Sequence, residues 1–321
     1  MKAANEMFTK PAPAVKPGDL AVVVGAGVSG VAAAKLLHKL GARVRLLDRS
    51  LDRIPADFAE WAESAGVEIV CGEHSPSQFR DAKLVVPSPG VAAAVISKFL
   101  PDGTPPEIMA ETELAWRQLS GEPVLGVTGT SGKTTTTSLC AAMLKEQGLT
   151  VFTGGNIGTP LSEYILSGEK ADVVVLELSS FQLQTCSTLH PRVGILLNIS
   201  ENHLDFHKDM EDYCDAKGKL FGICDTGCVN ADDPWTPRLI KNATCRMMCY
   251  STKSAADLTA EHIALHSDGV EFDAVSGGER AHVRLGIPGA FTVYNALGVI
   301  QAAQALGLPL EKIAAALSTA Q

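Results

Sequence analysis

The chain has 321 residues, with 27 Lys or Arg against 36 Asp or Glu, and its formal net charge is −9. No long basic run interrupts this acidic balance, which excludes the usual electrostatic footprint of a nucleic-acid binder and favours small molecules or proteins as partners. Aromatic residues make up only 5% while Gly and Ala are plentiful, a composition typical of α/β proteins. The length predicts two domains, each with a core of its own.

The first 18 residues contain Lys, Pro and Ala but no apolar stretch of the kind that a signal peptide needs. No run anywhere approaches the 18 apolar residues that indicate a transmembrane helix. We therefore expect a flexible tail over residues 1–18 and a soluble, cytoplasmic protein without disulfides.

A Rossmann-like domain over residues 19–120 is predicted from alternating strands and helices, the order that builds a parallel sheet. Its strands are expected at residues 20–24, 43–47, 67–70 and 84–86, and its helices at residues 28–40 and 107–118. Between the first strand and helix lies the turn Gly25-Ala-Gly-Val-Ser-Gly30, and Asp48 ends the next strand. This is the context of a dinucleotide fingerprint, in which glycines let a phosphate approach the helix N-terminus.

The first glycine turn leaves alternatives open. Taken by itself it favours a nicotinamide or flavin nucleotide, and it is also compatible with a turn that only packs a helix on a strand. The rest of the chain supplies a second nucleotide site and no obvious hydride-transfer residues. A uridine nucleotide therefore fits the first unit better.

The polar turn Ser120-Gly-Glu-Pro123 predicts the domain boundary, with a central domain over residues 121–321. Its strands are expected at residues 124–127, 150–153, 172–178 and 193–198, and its helices after Lys133 and at residues 211–221, 293–306 and 311–317. Alternating polar and apolar residues over 262–265, 270–273 and 282–285 predict an antiparallel edge.

A second glycine turn, Gly129-Thr-Ser-Gly-Lys-Thr-Thr135, follows the first strand of this domain. The backbone N–H groups of such a loop hold phosphates, its lysine lies against the outer phosphates, and a hydroxyl reaches Mg²⁺. The strict Walker pattern fails because position 127 is Val rather than Gly. The hydroxyl-rich run over residues 134–138 is poor helix material and is typical of a phosphate-binding helix start.

The cysteines allow two interpretations. Cys224-x3-Cys228 and Cys245-x3-Cys249 have spacings that two halves of a zinc site could use. The alternative is that these residues lie in short apolar stretches, where reduced cysteine behaves as a small hydrophobic residue.

The phosphate loop T-G-T-x-G-K-T-T resembles that of the Mur ligase superfamily and of folylpolyglutamate synthetases. Further segments resemble the same superfamily in the same order, at residues 154–158, 177–183, 198–205, 213–217 and 288–297. The segments at 154–158 and 177–183, together with Ser88-Pro-Gly90, are most similar to the members that add D-glutamate to UDP-N-acetylmuramoyl-L-alanine. The resemblance covers roughly residues 20–320.

The resemblance implies an ATP-dependent reaction in which a substrate carboxylate becomes an acyl phosphate that the amine of D-glutamate opens. Lys133, Lys217 and His203 would be catalytic, and Asn295 would face adenine. One Mg²⁺ would be held by Thr134 and Glu177, and a second by His203 and a carbamylated Lys217. The ATP phosphates would be held by Gly129, Thr130, Ser131, Gly132, Lys133, Thr134 and Thr135. The substrate would be bound by Val28, Ser29, Asp48, Gly90, Asn156 and Ser179, with Ser180 and Gln182 nearby. Asp205 would either orient His203 or be a plain surface carboxylate.

Two departures from the family pattern stand out. Members carry a third, C-terminal domain that supplies most contacts to D-glutamate, and we expect residues 1–321 to lack it and to be inactive alone. Thr292 also stands where members usually have Asn. Three alternatives stay open, namely a folate-type or different amino-acid-adding ligase, an NAD(P)-dependent oxidoreductase that uses the first turn, and a non-catalytic nucleotide-binding module.

Overall fold

A computed structural model describes residues 12–101, 103–202 and 204–319, and these contain two β-sheets, one of five strands and one of nine. The first sheet is entirely parallel in the order β3-β2-β1-β4-β5. Its strands are β1 (Leu20–Val24), β2 (Arg43–Asp48), β3 (Glu68–Cys71), β4 (Ala82–Pro87) and β5 (Glu107–Ile108). The accompanying helices are α1 (Val28–Lys39), α2 (Ala56–Ala65), α3 (Ala93–Ile96) and α4 (Glu111–Trp116), with 3₁₀ turns at Leu51–Arg53, Pro76–Phe79 and Ser97–Phe99.

The second sheet has the order β14-β13-β12-β11-β10-β9-β6-β8-β7. Its strands are β6 (Val124–Thr128), β7 (Val151–Gly155), β8 (Val173–Glu177), β9 (Val193–Leu196), β10 (Thr226–Asn230), β11 (Arg246–Ser251), β12 (Leu258–Leu265), β13 (Val270–Ser276) and β14 (Glu279–Leu285). Its helices are α5 (Lys133–Glu146), α6 (Leu161–Ser167), α7 (Ser180–Gln184), α8 (Met210–Gly218), α9 (Thr236–Asn242), α10 (Ala290–Ala305) and α11 (Leu310–Thr319), with a 3₁₀ turn at Lys219–Gly222.

The pairing of the second sheet changes along its width. Strands from β7 across to β12 pair in parallel, whereas β12, β13 and β14 pair antiparallel. The predicted α/β fold with an antiparallel edge is therefore confirmed. β1, β6 and β8 are buried along their whole length, because helices cover both faces of a parallel sheet.

Both glycine turns lie at the carboxyl ends of parallel strands. β1 ends at Val24 and feeds α1 through the first turn, while β6 ends at Thr128 and feeds α5 through the second. Ligands of open α/β sheets bind in crevices beyond these strand ends. Both turns therefore lie where a phosphate could reach a helix N-terminus.

Besides a hydrophobic cluster within each unit, the two sheets share a further cluster that joins them. Helix α1 of the first unit packs on α6 of the second, and α4 packs against both. One cluster joins Leu36 and Leu37 of α1 with Leu161 and Tyr164 of α6 and Leu176 of β8. The domain boundary at residues 120–123 stays a prediction, but the hydrophobic contacts continue across it.

Two buried carboxylates of α4 reinforce this junction. Glu111 accepts a hydrogen bond of 2.6 Å from the backbone N–H of Ser162, and burial raises its pKa to about 7. Glu113 accepts from the backbone N–H groups of Ser187 and Thr188 and pairs with Arg117 at 2.7 Å. Polar contacts therefore fix α4 against the second unit.

Several predicted elements differ from the structure. The predicted helix at 107–118 is wrong in its first part. Glu107 lies in β5 and pairs with Leu84 of β4, and the helix begins only at Glu111. The predicted flexible tail is also wrong where it is described, since Val15 is only 5% exposed and packs in the shared core; residues 1–11 lie outside the described residues. Across the described ranges, no helix combines the length and apolar character that crossing a membrane requires.

Candidate functional site

The first glycine turn is shaped by close packing. Gly25 has a φ of +100°, and a Cβ on Gly30 would lie 1.9 Å from the carbonyl oxygen of Gly25. Ser88 donates a hydrogen bond of 3.0 Å to that same oxygen. Gly27 and Gly90, in contrast, have open space where a side chain would be, so a ligand can approach their backbone.

Asp48, the acidic residue of the fingerprint, is tied to the turn itself. Its carboxylate accepts hydrogen bonds from the backbone N–H groups of Ala26 at 2.8 Å and Ser50 at 3.0 Å, and its residue is 5% exposed. Val28 is 64% exposed at the start of α1, beside the partly buried Ser29. The turn thus presents an uncovered apolar side chain and a helix N-terminus without acidic residues in its first turn.

The second glycine turn is held by the loop that follows β9. Gly129 and Gly132 have φ values of +152° and +81°, which side chains rarely adopt. The side-chain amide of Asn198 accepts from the backbone N–H of Ser131 at 2.9 Å and donates to its carbonyl at 3.1 Å. Thr130 contacts the backbone of Ser200 on the same loop. The loop is therefore preorganised before any ligand binds.

Two lysine side chains converge on this turn. Nζ of Lys133 donates to the carbonyl oxygens of Gly129 at 3.1 Å and Thr130 at 3.0 Å, and Nζ of Lys217 donates to Gly129 at 2.9 Å. Lys217 projects from α8, is 2% exposed and lies 4.8 Å from the ring centre of Tyr213. Burial, and next the charge of Lys133, lower the pKa of Lys217 to about 7. The side chain is therefore partly an unprotonated amine at neutral pH.

Glu177 ends β8 and connects two predicted site residues. Its Oε2 atom accepts from the hydroxyl of Thr134 at 2.9 Å, and its Oε1 atom accepts from the side-chain amide of Asn156 at 3.0 Å. A hydroxyl and a carboxylate oxygen at this distance are the donors that Mg²⁺ prefers. These two residues fit the predicted magnesium site, whereas His203 lies outside the described residues and Asp205 is exposed.

The zinc interpretation of the cysteines is not supported. Within residues 12–101, 103–202 and 204–319, no group of three or more His, Cys, Asp or Glu residues is placed to hold a metal ion. Cys228 is fully buried in β10, and Cys224 and Cys249 pack in an apolar cluster with Val229. Burial raises the pKa of the Cys228 thiol, as expected of a small hydrophobic core residue.

Helix α7 separates three predicted site residues. Ser179 caps the helix and accepts from the backbone N–H of Gln182 at 3.2 Å. The Gln182 side chain points to α4, where its amide donates to the hydroxyl of Thr112 at 2.9 Å. Ser179 and Ser180, by contrast, are both among the residues that line the cavity described next.

A cavity of about 270 Å³ lies between the two units. It is lined by Pro89, Gly90, Lys133, Asn156, Ser179, Ser180, Phe181, Tyr213 and Lys217. Gly90 of the first unit thus faces the two lysines of the second. Six predicted site residues meet here, namely Gly90, Lys133, Asn156, Ser179, Ser180 and Lys217. Val28, Ser29 and Asp48 lie at the first turn instead. Asn295 lies on α10 beside Gly132, because a Cβ added to Gly132 would come within 2.4 Å of the Oδ1 atom of Asn295.

The sequence interpretation missed the aromatic residues of this site and one histidine. Tyr213 donates to or accepts from the hydroxyl of Thr130 at 3.2 Å, and its ring lies 5.0 Å from that of His207. His207 follows two residues after Asp205 in the predicted metal-binding segment. Its closeness to that segment was the available signal, but only the fold brings it to α7.

Two family models match the chain. Residues 19–98 match the model described as Mur ligase MurD-like, N-terminal domain, and residues 127–303 match the model described as Mur ligase middle domain. Together they cover both glycine turns and most strands of both sheets.

Several curated relatives share the name UDP-N-acetylmuramoylalanine--D-glutamate ligase. The protein from Nitratidesulfovibrio vulgaris (strain DP4) is 65% identical over 219 residues, which are 68% of this chain and 49% of that protein. The protein from Pelotomaculum thermopropionicum is 36% identical over 304 residues, which are 92% of this chain and 65% of that protein. The chain thus spans about half the length of the curated relatives that it matches at high identity.

Solved structures share the fold. The UDP-N-acetylmuramate:L-alanyl-gamma-D-glutamyl-meso-diaminopimelate ligase from Neisseria meningitides superposes with a TM-score of 0.61 at 19% identity, over 95% of this chain and 98% of that chain. The UDP-N-acetylmuramate-alanine ligase from Thermotoga maritima gives a TM-score of 0.58 at 24% identity, over 94% and 68% of the two chains. At such identities the likeness extends to the fold alone.

Proposed function

This chain belongs to the Mur ligase family, and we propose that it supplies both nucleotide sites of a ligase that joins D-glutamate to UDP-N-acetylmuramoyl-L-alanine at the expense of ATP. The observation that carries the proposal is the cavity between the units. There Gly90, next to the first glycine turn, faces Lys133 and Lys217 of the phosphate loop region. A substrate anchored on the first unit would reach the γ-phosphate of a nucleotide on the second.

Lys133 and the loop amides would hold the phosphates of ATP. Phosphoryl transfer depends on alignment and on neutralisation of charge more than on covalent help from the protein. The Lys133 ammonium already lies over the loop, on the carbonyls of Gly129 and Thr130. A phosphate would replace these carbonyls as its partner, and Asn295, beside Gly132, would lie toward the adenine.

Thr134 and Glu177 would hold a Mg²⁺ ion bound with the nucleotide. Mg²⁺ is usually held by one or two protein oxygens and completes its shell with phosphate and water. When bound, the ion would offset the negative charge of the phosphates. Asn156, which now donates to Glu177, would turn to the sugar nucleotide.

Lys217 would carry a carbamate that supports a second Mg²⁺ together with His203. Only an unprotonated amine reacts with CO₂, and the lowered pKa of Lys217, about 7, supplies that form at neutral pH. The neighbouring Lys133 would then pair with the anionic carbamate. Mass spectrometry of the native protein in bicarbonate buffer, compared with Lys217→Arg, tests for the added carboxyl group.

The first turn would bind the uridine diphosphate part of the substrate. Gly27 and Gly90 leave their backbone open, and Val28 and Ser29 lie at the N-terminus of α1. Asp48 would hold the turn in shape through its two hydrogen bonds, and would also contact the nucleotide at the end of β2. In this proposal the first turn binds a uridine nucleotide and not a nicotinamide nucleotide.

Titration calorimetry tests the two sites together. We expect binding of UDP-N-acetylmuramoyl-L-alanine and weak binding of ATP·Mg²⁺, with no binding of NADH. Micromolar affinity for NADH without affinity for the UDP-sugar would favour an oxidoreductase instead. UDP-N-acetylmuramate as a third ligand separates this ligase from one that accepts the sugar before alanine is added.

Residues 1–321 tested by themselves should show no appreciable joining of D-glutamate. Placement of the amine beside the acyl phosphate contributes roughly 7–11 kcal/mol to such a step, and the relatives at high identity are about twice as long as the matched part. Phosphate release coupled to chromatography of the product is the measurement. Turnover at roughly 1 s⁻¹ or faster would mean that D-glutamate is recognised within these residues.

A further inference from the structure

We propose that Ser180, His207 and Asp212 form a chain that takes the proton from an amine nucleophile in the cavity. Oγ of Ser180 lies 3.0 Å from Nε2 of His207, and Nδ1 of His207 lies 3.0 Å from Oδ2 of Asp212. Ser180 lines the cavity, whereas the Asp212 side chain is 43% exposed. The three side chains therefore connect the cavity to solvent. This inference rests on the proposed ligase function.

The direction of the hydrogen bonds in this proton chain follows from the chemistry of the Asp212 carboxylate at its end. An ionised carboxylate only accepts, so Nδ1 of His207 carries the proton that it donates to Asp212. Nε2 is then unprotonated and accepts from the hydroxyl of Ser180. The lone pairs of Ser180 are left to accept a hydrogen bond from an N–H group of a ligand in the cavity.

The His207 ring is held firmly in this position. Its residue is 2% exposed, its ring stacks on Phe181 at 5.6 Å between centres, and it meets the edge of Tyr213 at 5.0 Å. Tyr213 in turn contacts the hydroxyl of Thr130 in the phosphate loop at 3.2 Å. The imidazole is thus fixed relative to the loop that would hold the γ-phosphate.

The amide-forming step releases a proton that such a chain can accept. The amine nitrogen attacks the carbonyl carbon of the acyl phosphate and a C–N bond forms. The bond between the carbonyl carbon and the bridging oxygen of the acyl phosphate then breaks, and inorganic phosphate leaves with the electron pair of that bond. The surplus N–H proton moves to Oγ of Ser180 as the hydroxyl proton moves to Nε2 of His207. The imidazolium is stabilised by Asp212 and later loses the proton to water.

In these roles Ser180 touches the reacting amine, while His207 and Asp212 act through it as positioning residues. A general base of this kind contributes roughly 10²–10⁴-fold to rate. The first step, attack of a carboxylate on the γ-phosphate, releases no proton. Loss of the Ser180–His207–Asp212 proton chain should therefore slow amide formation and leave acyl phosphate formation unchanged.

The first test is the tautomer of His207 in residues 1–321. With ¹⁵N-labelled histidine, we expect its Nδ1 resonance in the protonated class and its Nε2 resonance in the unprotonated class. Asp212→Asn, at a partly exposed position, should convert this single tautomer into a mixture. A wild-type His207 with its proton on Nε2 would overturn the proposal.

The second test replaces D-glutamate by hydroxylamine, a small amine that needs no binding site of its own at high concentration. Residues 1–321 are mixed with UDP-N-acetylmuramoyl-L-alanine, ATP and Mg²⁺, and both ADP and the hydroxamate product are measured. Ser180→Ala and His207→Gln should lower the rate of hydroxamate formation by roughly 10–100-fold, and a rapid-quench experiment should show that the ADP formed in the first turnover, before the acyl phosphate is discharged, falls much less. Ser180→Thr, which keeps the hydroxyl, should restore most of it.

His190→Gln is the matched control, because His190 pairs with Asp225 at 2.6 Å and neither residue lines the cavity. It should behave as the wild type. Equal hydroxamate formation by Ser180→Ala and the wild type would overturn the proton chain while the ligase function stands. Absence of ADP release from the wild type would instead overturn the proposal that residues 1–321 form the acyl phosphate, and with it the role of the Ser180–His207–Asp212 proton chain in these residues.

Discussion

The two glycine turns share one construction, a buried strand that leads through glycines into a helix, but they differ in what surrounds them. The first turn is tightened by its own backbone and by Asp48 and Ser88. The second is surrounded by Lys133, Lys217 and Glu177, which come from different elements. A similar local fold is therefore held by backbone and hydrogen-bond contacts in one case and surrounded by charged side chains in the other.

The difference indicates where each turn should tolerate change. In the first turn we expect ligand binding to depend on the shape of the backbone, so a side chain that clashes with it should unfold the turn. In the second we expect ligand binding to depend on charge, so removal of one ammonium group should weaken binding while the fold survives. Four substitutions test this division.

The largest effect is expected for Gly30→Ala, because its Cβ would lie 1.9 Å from the carbonyl oxygen of Gly25, which is backbone and cannot move aside. We expect a loss of about 3 kcal/mol or more in the free energy of unfolding, measured by urea denaturation. Gly27→Ala is the control, since no atom lies within 4 Å of its Cβ, and its change should stay within about 0.5 kcal/mol. Equal stability of the two variants would show that the first turn is not set by packing.

The next effect concerns the pH dependence of stability at Lys217. Its pKa is about 7 in the folded chain and ordinarily 10.5, so the unfolded chain binds more protons between these values. The contribution of Lys217 to stability should therefore rise by about 2 kcal/mol from pH 7 to pH 9 in CO₂-free buffer, measured as the difference between the wild type and Lys217→Met, because buried thiols such as Cys228 shift the total stability in the opposite direction. Lys217→Met should remove this rise, whereas Lys145→Met, at an exposed position of α5, should keep it.

Lys133→Ala should weaken ATP·Mg²⁺ binding by roughly 10–100-fold, because a charge-assisted hydrogen bond to phosphate contributes about 1.5–3 kcal/mol. Calorimetry on the variant should show unchanged affinity for the UDP-sugar, since the first turn is untouched. Lys145→Ala, from the same helix, serves as the control. Wild-type affinity for ATP in Lys133→Ala would contradict the assignment of the phosphate loop.

The smallest effect is expected for Asp48→Asn. The amide keeps one acceptor oxygen but places an NH₂ group toward one of the two backbone donors, Ala26 or Ser50, which should cost about 1 kcal/mol of stability. UDP-sugar affinity should fall several-fold and ATP affinity should not change. Asp52→Asn, at an exposed position, is the control. A loss of ATP affinity instead would mean that the two turns are not independent.

Local sequence patterns predicted the α/β fold and most strands, because a strand buried on both faces is a continuous apolar run. β1 and β6 are of this kind, and both glycine turns follow them directly. The helix predicted at 107–118 failed because two extended residues, Glu107 and Ile108, pair with β4. Such pairing depends on a strand more than 20 residues away, which local propensity does not report.

The site could be predicted only where a residue belongs to a motif. Lys133, Thr134, Glu177 and Lys217 belong to motifs, and the structure brings the two lysines together at Gly129 and pairs Thr134 with Glu177. His207 only lies close to a motif in the sequence, and its contacts could not be predicted because its partners Ser180 and Asp212 are 27 and 5 residues away. Contacts of this type arise from the packing of α7 against α8, which no periodicity in the sequence records.

The core shared by α1, α4 and α6 has a consequence for how the molecule opens. Since side chains from both units fill it, amide hydrogens of these three helices should exchange with deuterium as one cooperative group. Cleavage of the chain at residues 120–123 would not release two independently folded halves, because each would expose apolar surface that the other now covers. The two glycine turns are in this sense parts of a single folding unit.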